Sequence, residues 1–187
     1  MKAINLSEDP VRILSPAGDY PQAQEYLNLA HDSDRDFEVF LNDLKESDEP
    51  TIVMMFGDHL PSVEEEFLAG VLDANDPFAR YTTPLVVWAN YDLGLEPQER
   101  EVYTSANYLS LLLSEQAGLP LTGKEQFLQE LREQFPVVSV YGAIAADGSV
   151  LDPQSAREQE LIQLYEGIQY QDIKKHCRGA ETFYYLQ

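Results

Sequence analysis

The sequence has one cysteine, Cys177, in 187 residues, so no intrachain disulfide can form and cysteine usage leaves no mark of an oxidising compartment. Basic residues are scarce: 12 Lys and Arg stand against 33 Asp and Glu, a formal net charge of -21. Nucleic-acid binding rests on neutralising phosphates with Lys and Arg, so this balance excludes nucleic acid as a partner and disfavours docking on an anionic membrane surface. The acids are dispersed, with Glu64-Glu65-Glu66 the densest cluster. The plain reading is a highly soluble surface; the sharper one is an acidic cleft that gathers cations. Long hydrophobic runs are missing as well. No stretch approaches the ~20 apolar residues of a membrane-spanning helix, and the N-terminus lacks a basic-then-apolar signal pattern, so the polypeptide as given is expected to be soluble. There is no Gly-x-Ser-x-Gly elbow, no Gly-rich phosphate loop, no dinucleotide fingerprint and no Cys-rich or His-x-x-x-His ligand set.

What is present is a globular composition, 44% hydrophobic and 24% charged, in a length that suits one domain with at most a small appendage. Neither internal repeats nor low-complexity segments occur. The central stretch is Thr51-Ile52-Val53-Met54-Met55-Phe56, an apolar run bounded by Pro50 and Gly57. Such a run predicts a strand buried on both faces, as in a parallel sheet covered by helices. Pro84-Leu85-Val86-Val87-Trp88 predicts a second strand of the same kind, its preferred placement being parallel to the first, with Trp88 in the core.

Around these strands the pattern is helical. Leu27, Ala30, Phe37, Phe40, Leu41 and Leu44 recur at helical spacing and predict a helix from about residue 19 to 46. Ser62 and Glu65 read as a capping box for a helix over 63–72. Thr104 is placed to cap a helix over 107–116 that Gly118 and Pro120 terminate, and Thr122 with Glu125 forms a second capping box before Phe127, Leu128 and Leu131. Val11 to Leu14 is a candidate short strand. Residues 137–145 read as β-like, Asp147-Gly148 as a turn, Val150-Leu151 as the returning strand, and Asp152-Pro153 as the start of a helix carrying Leu161, Ile162, Leu164, Tyr165 and Ile168. The expected fold is therefore α/β, a partial sheet flanked by helices over 1–136, with a small α+β tail over 137–187.

The first strand ends on Gly57-Asp58-His59. In open α/β sheets, ligands and metals are held by loops leaving the carboxyl ends of strands, and a carboxylate beside an imidazole offers two donors suited to a divalent ion. The plain alternative is a hydrogen-bonded surface pair. Two donors do not fill a coordination shell, and the other histidines are poor candidates: His31 lies beside Asp32 and Asp34 in the first helix, in a solvated or capping role, and His176 follows Lys174 and Lys175 near the C-terminus. Arg80 could meet an anionic group near the site, against a plain surface role. Cys177 lies in a basic tail with no apolar strand before it.

Phe56-Gly57-Asp58-His59-Leu60-Pro61, followed by Tyr81-Thr82-Thr83-Pro84-Leu85-Val86-Val87-Trp88-Ala89-Asn90-Tyr91, resembles the C-terminal half of the sulfatase-like domain of lipoteichoic acid synthases and related phosphoglycerol transferases, members of the alkaline phosphatase superfamily. The segment from Tyr26-Leu27-Asn28 to Leu44-Lys45 and the later Ser105-Ala106-Asn107-Tyr108-Leu109, Gly118-Leu119 and Phe127-Leu128 are similar in order and spacing. The resemblance covers roughly residues 22–140; residues 170–187 depart from the family pattern.

The resemblance implies an alkaline-phosphatase-like sheet and a divalent ion, Mn²⁺ first with Mg²⁺ or Zn²⁺ as alternatives, bound by Asp58 and His59. It implies two further ligands, an acidic residue and a threonine nucleophile, from an N-terminal half of the domain that these 187 residues do not contain. It further implies phosphatidylglycerol as donor lipid, a cell-envelope polymer or glycan as acceptor, and a parent protein anchored in the bacterial cell membrane with an extracellular catalytic domain. On this reading the chain by itself turns over nothing. A sulfatase or other phosphoesterase of the same superfamily, or a non-catalytic assembly module, are the alternatives.

Overall fold

A computed structural model describes residues 10–94, 103–139, 142–150, 160, 163–170 and 181–184. The chain divides into two compact units, Met1–Asp92 and Leu93–Gln187.

The first unit opens with α1 (Pro21–Lys45), then β1 (Ile52–Phe56), α2 (Glu65–Val71) and β2 (Leu85–Ala89). Pro21 suits the first turn of α1, where its missing N–H is not needed. Leu27, Ala30, Phe37, Leu41 and Leu44 are half-buried along one stripe, whereas Phe40 is 49% exposed. Residues 11–14, expected as a strand, are irregular. Gln24 of α1 takes the bonds a partner strand would have made: its Oε1 accepts from Ile13 N–H at 3.3 Å and its Nε2 donates to the Val11 carbonyl at 2.7 Å.

β1 and β2 pair antiparallel, from Ile52 opposite Ala89 to Phe56 opposite Leu85, which corrects the parallel arrangement expected from their apolar character. The reason lies in the connection. Gly57 N–H donates to the Pro84 carbonyl at 3.1 Å, so the chain re-enters the sheet at the end it left. Neither strand is buried on both faces. Met55 (39%), Phe56 (51%), Val86 (40%) and Val87 (36%) remain exposed, and Trp88, opposite Val53, is half-buried.

Asn90, just past β2, fastens this ribbon to α1. Its Oδ1 accepts from Thr51 N–H at 2.8 Å, and its Nδ2 donates to the carbonyls of Leu44, Ser47 and Glu49 at 3.0, 3.2 and 2.9 Å. The Leu44 carbonyl is one of the last-turn acceptors that α1 cannot satisfy internally.

The capping box expected at Ser62 and Glu65 does not form: α2 starts later, with Glu64 at its N-cap position and no side-chain cap. Both acids are committed elsewhere. Glu65 pairs with Arg80, and Glu64 reaches back to the other end of the unit, accepting from Gln22 N–H at 2.8 Å and Ala23 N–H at 3.0 Å. These are orphan donors of the first turn of α1, where the helix dipole also favours an anion. Desolvation pushes the Glu64 carboxyl upward, but the N–H groups of Gln22, Glu64 and Ala23 outweigh it and hold it below the usual carboxylate range. A depressed carboxyl lends stability that is fully present above its unfolded value and is lost as pH falls through its folded one. Glu64→Gln is therefore expected to lower Tm at pH 7, with the gap to wild type closing below about pH 4; a gap that persists or widens in acid contradicts the charged cap.

In the second unit a 3-10 turn, Ala106–Tyr108, leads into α3 (Leu109–Gln116), followed by α4 (Gly123–Gln134), β3 (Val137–Ser139) and β4 (Gly142–Ile144). Thr104 does not cap α3; the residue at the N-cap of the turn is Ser105, whose Oγ accepts from Val138 N–H at 3.0 Å. The α3 C-terminus ends as expected at Gly118, at φ +65, with Leu119 N–H to Ser114 carbonyl (2.9 Å) and Gly118 N–H to Glu115 carbonyl (3.2 Å) closing a Schellman motif. The Thr122–Glu125 capping box is present in both directions.

The core of this unit is Tyr108, Leu111, Leu128, Leu131, Phe135 and Tyr165. Residues 137–145, expected as one extended run, instead fold into an antiparallel hairpin with Ser139 opposite Gly142, a position at φ +135 that favours glycine. The turn at Asp147-Gly148 is present, and the return is one bridge, Ile144 opposite Val150. Residues 163–170 are helical and Tyr165 is buried; the predicted helix start at Asp152-Pro153 lies outside the described residues.

Candidate metal site at the end of the first strand

β1 delivers Gly57, Asp58 and His59 at the point where its pairing with β2 stops. The side chains of Asp58 and His59 are 82% and 77% exposed, and among the described residues their hydrogen bonds fall within residues 58–60. Asp58 Oδ1 accepts from His59 N–H at 2.9 Å, turning the two side chains toward each other, so that His59 Nε2 lies 3.5 Å from Asp58 Oδ2. On the far side of the ring, His59 Nδ1 lies 2.8 Å from the Leu60 carbonyl. A carbonyl only accepts, so the Nδ1 contact requires a proton on that nitrogen and leaves Nε2, 3.5 Å from Asp58 Oδ2, as the ring nitrogen that faces the carboxylate. Metal-ligating histidines are oriented by this kind of outer hydrogen bond, and the donor chemistry fits a divalent cation.

The fit is that of a pair and not of a full shell. Among the described residues no group of three or more His, Cys, Asp and Glu side chains converges as a metal site. Arg80 is held by Glu65, with Nη2 to Oε2 at 2.7 Å and Nη1 to Oε1 at 3.3 Å, both side chains well exposed. The hydrogen bond from Arg80 lowers the Glu65 carboxyl and, reciprocally, raises the guanidinium. His31, expected to be solvated or capping, instead has a buried Nδ1 with no hydrogen-bond partner among the described residues. His176 and Cys177 lie outside the described residues. A cavity of about 370 Å³ at the start of α1, lined by Ile13, Tyr20, Gln24 and Asn28 among others, includes neither Asp58 nor His59.

Two residues that support the ribbon carry no chemical motif of their own. Thr83 Oγ donates to the Gly57 carbonyl at 2.7 Å, and Asn90 anchors the opposite end of the ribbon. Each stands in the segment between Tyr81 and Tyr91 but reads there as a strand flank or a polar loop residue.

A model of the sulfatase family matches residues 5–119, which takes in β1, the Gly57-Asp58-His59 turn, β2 and α3. The chain belongs to the sulfatase family. Among curated proteins it is similar to one from Rhizobium meliloti (strain 1021) named for cyclic beta-1,2-glucan modification, with 27% identity over 169 residues, 78% of this chain and 26% of that protein. The chain thus spans about a quarter of the length of the curated relative it matches. No solved structure matches it. Members of this family typically use divalent metals, and no helix among the described residues is long and apolar enough to cross a membrane.

Proposed function

We propose that this chain supplies Asp58 and His59 to the metal centre of a phosphoglycerol transferase related to lipoteichoic acid synthases, which moves glycerophosphate from phosphatidylglycerol to a cell-envelope polymer or glycan. The observation that carries the reading is the strand-end pair, with His59 Nε2 set 3.5 Å from the Asp58 carboxylate while Nδ1 is bonded to the Leu60 carbonyl. The name of the Rhizobium relative supports a glycan as the class of acceptor. Mn²⁺ is the proposed ion; when bound it would supply Lewis acidity and lower the pKa of an attacking hydroxyl.

The net reaction breaks the phosphorus–oxygen bond to diacylglycerol and forms one to an acceptor hydroxyl, whose proton ends on the released diacylglycerol. In this scheme Asp58 contributes negative charge and His59 a neutral nitrogen, while Arg80 is the candidate contact for an anionic group on exchange from Glu65. The remaining ligands and the threonine nucleophile come from an N-terminal half of the same domain, in a parent anchored in the bacterial membrane with its catalytic domain outside. The 187 residues alone are then expected to turn over no phosphodiester.

The test is the intact protein that carries this chain, assayed with Mn²⁺, head-group-labelled phosphatidylglycerol and cyclic β-1,2-glucan as probe acceptor. Label in the glucan supports the reading. Hydrolysis of a sulfate ester such as p-nitrophenyl sulfate without any label transfer overturns it in favour of a sulfatase, and metal-independent inertness toward both favours an assembly module.

A further inference from the structure

Among the described residues, the hydrogen bonds of the Asp58 and His59 side chains stay within residues 58–60, and both side chains are more than three-quarters exposed. What fixes the direction of such a pair is the backbone that leads into it, and the last ordered step is the peptide joining Gly57 to Asp58. Its carbonyl accepts from Thr83 Oγ at 2.7 Å, while Gly57 N–H donates to the Pro84 carbonyl at 3.1 Å. Both polar groups of Gly57 are therefore held by one two-residue segment of the returning chain. Thr83 itself has little freedom, because a residue before proline is confined to extended backbone and a β-branched side chain is stiff at χ1. The contact is also close in space: a Cβ at position 57 would lie 2.9 Å from Thr83 Cβ, so the methyl and hydroxyl of Thr83 occupy the room that glycine leaves.

We propose that Thr83 is a positioning residue for the donor pair, its hydroxyl locking the plane of the Gly57–Asp58 peptide so that Asp58 and His59 leave the strand in one direction. The inference rests on the metal reading of the pair for its consequence, but the lock itself is a property of the metal-free chain. Thr83 touches neither metal nor substrate; it acts through Gly57. A side chain that merely filled space at β2 would serve as well with a methyl in place of the hydroxyl.

That difference sets the experiment. Thr83→Val keeps shape and branching and deletes the donor; Thr83→Ser keeps the donor and deletes the methyl. In the metal-free 187-residue chain, ¹⁵N relaxation of the Asp58 and His59 amides is expected to show increased ps–ns mobility in Thr83→Val and near-wild-type rigidity in Thr83→Ser. In Mn²⁺ titrations followed by electron paramagnetic resonance, Thr83→Val is expected to lose several-fold in affinity and Thr83→Ser to recover most of it, as for outer contacts that orient metal ligands. Unchanged amide mobility in Thr83→Val overturns the lock, whatever its Tm does. Wild-type mobility and affinity in Thr83→Val with only a lowered Tm assigns Thr83 a packing role and also overturns it. If wild type shows no site-bound Mn²⁺ while Thr83→Val loosens the two amides, the metal reading fails and the lock stands.

Discussion

Asp58→Asn and His59→Ala, made singly in the 187-residue chain, are each expected to weaken Mn²⁺ binding at the end of β1 by tenfold or more, on the order of what loss of even an outer-sphere partner causes. The two substitutions act differently. Asn keeps one oxygen donor at Asp58 and removes the charge, whereas Ala at 59 removes the only nitrogen donor oriented by Leu60. The double variant is expected to be no worse than the weaker single one, since with either ligand gone the other is a lone exposed side chain on a chain of net charge -21, where unspecific cation binding sets the floor. In the intact protein the same changes are expected to reduce the proposed glycerophosphate transfer by about 100-fold or more, the scale of removing a group that organises transition-state charge. Equal Mn²⁺ affinities in wild type and both single variants contradict the assignment.

The largest stability effect is expected from Leu128→Ala. Leu128 is 1% exposed and belongs with Tyr108, Leu111, Leu131, Phe135 and Tyr165 to the cluster that forms the core of the second unit. Truncation removes three buried carbons and leaves a cavity that α4 can relax into only partly, because its N-terminus is pinned by the Thr122–Glu125 capping box and its face is tied to α3 by Arg132 on Glu115 at 2.8 Å. The expected cost is about 2–5 kcal/mol, read as a loss in chemical-denaturation stability. A loss under about 1 kcal/mol would mean that the cluster collapses around the gap.

Local chemistry was the legible part of this sequence. The Thr122–Glu125 box, the Gly118 stop and the extent of α1 depend on residues within a few positions of one another, and they appear where the spacing put them. What could not be read were bonds between distant residues. Ser62 and Glu65 have the form of a capping box, yet Glu64 finds two free N–H groups 42 and 41 residues away and Glu65 finds Arg80, so α2 starts without one. Apolar strands at Ile52–Phe56 and Leu85–Ala89 were evident, but their direction is set by Gly57 meeting Thr83 and Pro84, which no hydrophobic period encodes. For the site, the residue types and their place at a strand end are legible in the sequence. The Leu60 carbonyl on His59 Nδ1 and the Thr83 hydroxyl on the Gly57 carbonyl emerge only from the geometry.

The most direct test of the central claim is paramagnetic broadening of the metal-free 187-residue chain by substoichiometric Mn²⁺, followed in ¹H–¹⁵N spectra. If Asp58 and His59 form a donor pair, broadening begins at the amides of residues 57–60 and at the His59 ring protons before any other acidic segment responds. Broadening that starts at the Asp73–Asp76 turn or spreads evenly over the acidic surface, leaving the His59 ring sharp, contradicts the claim.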